Sequence, residues 1–115
     1  MSSGFYNIGS IIYGKMKDIC QTFPLVAENG VKFPFCVYKT TASRPENTKD
    51  GIYDWIYNIQ LNLVSDKYDT VCEICGQALD KLLELEEVLD INISEVSEDF
   101  IDDAYIKEIN IIIKK

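Results

Sequence analysis

The chain contains no histidine and a single arginine, Arg44. Without histidine it lacks the usual general base near neutral pH and the commonest metal ligand. Lysine and arginine number 11 against 19 acidic residues, a net charge of −8. Nucleic-acid binding draws most of its affinity from Lys and Arg on phosphate. The only basic run is Lys114-Lys115, so no nucleic-acid partner is expected. No apolar stretch approaches the roughly eighteen residues of a membrane span, so no membrane partner is expected either. The N-terminus has no basic segment followed by an apolar run, which points to residence in a cytoplasm. G-x-S-x-G, H-E-x-x-H, Walker A and G-x-G-x-x-G are all missing, and no nucleophile–base pair stands out. The expectation is a protein that is not an enzyme and uses no cofactor.

What is present is strongly patterned. With 115 residues, 47% of them apolar, the chain suits one domain, 1–115, with a single core and residues 1–4 as a frayed lead-in. Its dominant stretch is Tyr53–Val64, YDWIYNIQLNLV, where every odd position is large and apolar and most even positions are polar. Such alternation predicts a long strand with one buried face, about 40 Å at 3.3 Å per residue. A one-residue slip would turn all six large side chains to water, so its register is firmly specified.

Around that strand the other elements follow in order. Ile8, Ile11, Ile12, Met16, Ile19 and Cys20 recur at helical spacing, predicting an amphipathic helix over 5–20. A short extended piece at 22–27 precedes the turn signal Glu28-Asn29-Gly30. A strand is read over 33–41 and a polar loop over 42–51, closing on Asp50-Gly51. Ser65-Asp66 reads as an N-cap for a helix from Lys67 to about Glu87, whose stripe carries Val71, Cys72, Cys75, Leu79 and Leu82. Strands are read over 89–94 and 105–113, with the acidic run 95–103 as a solvated turn. The fold class that results is α+β: an antiparallel sheet of about four strands, two helices on one face, and a long projecting β-hairpin.

Three features invite a chemical reading. Cys72 and Cys75 form a C-x-x-C pair, but on the apolar stripe, away from the helix N-terminus where a redox pair would sit. They are read as core cysteines, and no metal site is expected. Asp50, Asp54 and the acidic run lack the spacing and central glycine of a calcium loop. The loop Arg44–Gly51 is the polar stretch most suited to docking, since arginine is enriched where partners meet. The candidate interaction residues are Arg44, Lys49, Asp50, Tyr53, Trp55 and Tyr57, the three aromatics being expected to project with the loop as an assembly arm.

This ordered set resembles the tail completion, or tail terminator, proteins of long-tailed phages and prophages. The matching features are the N-terminal amphipathic helix, FPFCVY at 33–38, and the polar loop ending in Asp50-Gly51. Ile59–Val64 then leads through Ser65 into DKYDTVCEICGQAL, with two strands following. The resemblance spans roughly residues 8–113. It implies a subunit of a ring, typically six-fold, that caps the tail tube, stops its polymerisation and meets the head connector. Its implied partners are further copies of itself, the tail tube protein and a head-completion protein. Its implied location is the bacterial host cytoplasm during assembly and then the virion tail. The family has no catalytic residues to carry over, and only 43–51 maps as a contact. A ring requires two different complementary patches per subunit, for which the two-faced Ile109–Ile113 end and the tyrosines are material. Two other readings stay open: a small-molecule-binding α+β module, and a thiol or zinc protein.

Overall fold

Ile8, Ile12 and Met16 stand four residues apart, and all three are fully buried on one side of the first helix, α1 (Ser3–Met16). The computed structural model describes residues 3–27, 29–47, 53–87 and 90–114. After α1 come β1 (Gln21–Pro24), β2 (Phe35–Asn47), β3 (Tyr53–Ser65), α2 (Tyr68–Glu84), β4 (Asp90–Ile101) and β5 (Ala104–Lys114). A 3-10 turn over Leu85–Glu87 closes α2. Among the described residues, no helix is long and apolar enough to cross a membrane.

The five strands form one sheet in the order β1-β2-β3-β5-β4, antiparallel except for β1, which runs parallel to β2. The α+β architecture expected from the pattern is therefore present, with the short extended piece contributing a fifth strand. β3 is central, paired along β2 on one side and β5 on the other. Its odd positions Tyr57, Ile59, Leu61 and Leu63 are buried beside Ile113, Ile111 and Ile109 of β5. Val71, Ile74, Cys75, Ala78 and Leu82 of α2 complete the core with the α1 stripe. Both helices thus cover the same face, because only that face of β3 and β5 is continuously apolar. The opposite face is polar at its middle, where Asn62 donates to Gln60 (3.1 Å) and Asn110 to Glu108 (3.0 Å).

Several boundaries differ from expectation, and α1 ends at Met16 rather than at residue 20. β2 continues through Ala42–Asn47, so most of the predicted loop is strand. Cross-strand pairing with β3, which is apolar on alternate positions, overrides the polar composition of β2, and a register shift at Thr41 absorbs one residue. The acidic run is likewise no turn: β4 extends to Ile101 against β5, and the chain reverses at Asp102-Asp103, both at positive φ (52° and 61°). That is the backbone of a two-residue hairpin turn, which Asp tolerates better than most residues. Finally, α2 starts at Tyr68, one residue later than the expected Lys67. Lys67 occupies the N-cap position without a side-chain cap, while Ser65 Oγ accepts a bond from the Lys67 amide (3.2 Å).

Candidate assembly surface

Asn47 pairs with Tyr53, Pro45 with Trp55, and Arg44 with Ile56 at the far end of the β2–β3 hairpin. β5 stops at Lys114, opposite Ile56, so the hairpin does project beyond its neighbour. Lys49 and Asp50 lie outside the described residues, as do the side chain of Tyr53 and that of Asp54. Trp55 is about one-third exposed, and its ring stacks on Tyr57 with centroids 6.5 Å apart. Tyr57 departs from the expectation of a projecting aromatic: it is only 4% exposed and belongs to the core cluster. Its odd-numbered position turns it under the helices, opposite Ile113. Arg44 is exposed on the other face of the sheet. The structure therefore places Arg44 and Trp55 at one end of the hairpin but on opposite faces. Glu46 pairs with Lys114 of β5 at 2.5 Å, so its charge is matched within the chain.

The opposite end of the sheet carries a cluster that the sequence reading missed. Phe100, half exposed, packs its ring 4.7 Å from that of Tyr105, which meets Tyr68 edge-on at 5.5 Å. Glu98 sits beside them, accepting from Lys107 Nζ (2.6 Å) and from the Tyr68 hydroxyl (3.1 Å). The hydrogen bond from Lys107 holds the Glu98 carboxyl below its usual range, and the same bond raises Lys107. The Tyr68 hydroxyl is pushed up by hydrogen bonding with Cys72 and then with Glu98. The available signal was the spacing of Val96, Glu98 and Phe100, which keeps one strand face continuous through the acids.

The cysteines occupy packing positions. Cys75 and Cys36 are buried, and Cys72 and Cys20 are half buried against the core. Burial pushes the Cys36 thiol up to about 12 and Cys20 to about 11. Among the described residues, no three His, Cys, Asp or Glu side chains are grouped as metal ligands.

A groove of about 610 Å³ runs between α1 and the outer edge of β2, bordered by Gly9, Tyr13, Leu25, Tyr38 and Lys39. It begins where β1 ends. The Leu25 amide makes a last bond to the Tyr38 carbonyl (2.8 Å), and Leu25 then turns away at φ 65°. Leu25 and Val26 are among the most exposed large apolar side chains, at 68% and 73%.

No protein-family model matches the chain, and no curated protein matches it. Among solved structures, the fold is similar to that of a chain in the virion of a native gene transfer agent particle. The TM-score is 0.75 at 6% sequence identity, covering 98% of each chain. At that identity the likeness is one of fold.

Proposed function

We propose that the chain is a structural protein of a phage-like particle, a ring-forming subunit that caps the tail tube and joins it to the head connector. The observation that carries this reading is the likeness in fold, end to end in both chains, to a component of a gene transfer agent virion. The resemblance in element order to tail terminator proteins selects the terminator role among structural roles. The subunit works by geometry and contact rather than by chemistry, with no catalytic step and no cofactor.

In this reading the partners are further copies of the chain, in a ring of six, with the tail tube protein below and a head-completion protein above. The end of the β2–β3 hairpin, with Arg44, Lys49, Asp50, Tyr53 and Trp55, contacts the tube or a neighbouring subunit. The protein is soluble in the host cytoplasm until assembly and is then part of the virion tail. Its net charge of −8 favours solubility before assembly. Light scattering and electron microscopy of the purified protein, alone and with tail tubes, test the reading. Rings, or rings seated on tube ends, are expected. A protein that stays monomeric and never engages tubes overturns it.

A further inference from the structure

A ring needs two different surfaces on each subunit that fit one another. The two lateral edges of this sheet have that character. On one side, β1 covers β2 only from Phe35 to Tyr38. From Lys39 to Asn47 no strand among the described residues pairs with the outer edge of β2. On the other side, no strand among the described residues pairs with the outer edge of β4, Asp90–Ile101.

The edges carry opposite charge. β4 contains Asp90, Glu95, Glu98 and Asp99 and no basic residue; Glu98 is paired with Lys107 of β5, which leaves three acids. The uncovered part of β2 contains Lys39 and Arg44, and its one acid, Glu46, is already paired with Lys114. In a chain of net charge −8, a locally basic edge is a departure from the average.

The two faces of these edges match as well. The register puts Lys39 and Arg44 on the face away from the helices, opposite Gln60 and Ile56. Glu95 and Asp90 occupy the same face of β4, opposite Asn110 and Lys114. On the helix side, β4 shows Val96, exposed by 42%. There the β2 edge opens into the apolar groove bordered by Tyr13, Leu25 and Tyr38. The rows are also level. Glu95 and Lys39 lie at the two ends of one row through Asn110 and Gln60, and Val96 and Tyr38 at the ends of the next.

We infer that the β4 edge of one copy docks, antiparallel and with its rows level, against the uncovered β2 edge of the next, so that Glu95 faces Lys39, Asp90 faces Arg44 at the end of the row through Lys114 and Ile56, and Val96 meets the α1–β2 groove beside Tyr38. Both edges also carry the charges and register shifts that blunt indiscriminate strand pairing. Those same charges choose the partner. Two acidic β4 edges repel one another and two basic β2 edges do likewise, so symmetric two-fold pairing is disfavoured and the head-to-tail contact remains. Pro45, which lacks an amide donor, ends the useful stretch of the β2 edge. This inference rests on the ring reading and names the contact that would build it.

A mixing experiment tests it. The first variant carries Lys39→Glu and Arg44→Glu; the second carries Glu95→Lys and Asp90→Lys. All four side chains are on the sheet surface, and circular dichroism melts check that each variant folds. Light scattering should show the wild type as a multimer and each variant alone near the 13.1 kDa monomer. An equimolar mixture should recover the wild-type mass, because each variant then meets a complementary neighbour at both edges. Variants that assemble alone as the wild type does overturn this surface while leaving the ring reading standing. Monomeric variants whose mixture stays monomeric also overturn it. A wild type that never self-associates, alone or on tubes, removes the ring reading and this contact with it.

Discussion

Two aromatic residues two positions apart on β3 separate folding from contact. Tyr57 is 4% exposed and Trp55 about one-third exposed, although the alternation gives them the same face. The difference is where the cover ends: Tyr57 lies opposite Ile113, within the core cluster, while β3 at Trp55 has passed the end of β5. Tyr57→Ala should cost about 3 kcal/mol or more, the usual range for removing a buried aromatic. Trp55→Ala should cost much less, about 1 kcal/mol, chiefly the stacking contact with Tyr57 and partial burial. Urea unfolding of both variants checks the order, and equal losses would contradict it. Cys36 supplies a second test at this scale. Its buried thiol is raised to about 12 from an ordinary value of 9. In the folded state the thiol therefore holds its proton where the unfolded chain releases it, and stability is present in full below pH 9. It falls as pH rises from there toward 12, since the unfolded state then binds fewer protons. Replacing Cys36 by Ala should flatten that alkaline loss, read from urea midpoints between pH 8 and roughly 11.

At the scale of elements, the core strands and α2 were legible because burial and periodicity agree there. Tyr57–Leu63 alternates strictly, and Val71 to Leu82 repeats at helical spacing. What escaped was strand rich in polar residues, namely 42–47 of β2 and 95–101 of β4. Their conformation is set by the partner strand, which a local pattern does not contain. The candidate surface suffered the same way, since Lys39, Glu95 and Asp90 become neighbours of grooves and edges only through register. Within α2, local preference and structure still conflict at Gly76. This position is mid-helix and exposed, and a Cβ added there would meet nothing within 4 Å. Gly76→Ala should therefore stabilise the fold by about 0.8–1 kcal/mol, the helix-propensity difference. The expected reading is a higher urea midpoint with an unchanged slope. A destabilised variant would mean that α2 bends or packs at Gly76 in a way the geometry does not contain.

At the scale of the whole molecule, charge and apolar surface make opposite demands on assembly, and salt separates them. A net charge of −8 makes any two copies repel at long range. The proposed lateral contact reverses that locally, by setting acidic β4 against the basic part of β2, and adds Val96 as buried apolar area. Screening acts on each part differently. Between about 0.01 M and 0.15 M salt the Debye length falls from about 30 Å to 8 Å. That removes the long-range repulsion while leaving contacts at a few ångströms comparatively strong. Near 1 M it is about 3 Å, short enough to weaken exposed pairs at the contact itself. Self-association should therefore strengthen over the first interval and weaken over the second, giving a maximum at intermediate salt. The Lys39→Glu, Arg44→Glu variant should show no such maximum, because its β2 edge repels β4 and only screening helps it. Light scattering across a salt series, wild type beside variant, reads both curves. If wild-type association only rises up to 1 M, apolar burial alone holds the subunits together and the paired charges contribute nothing to the contact.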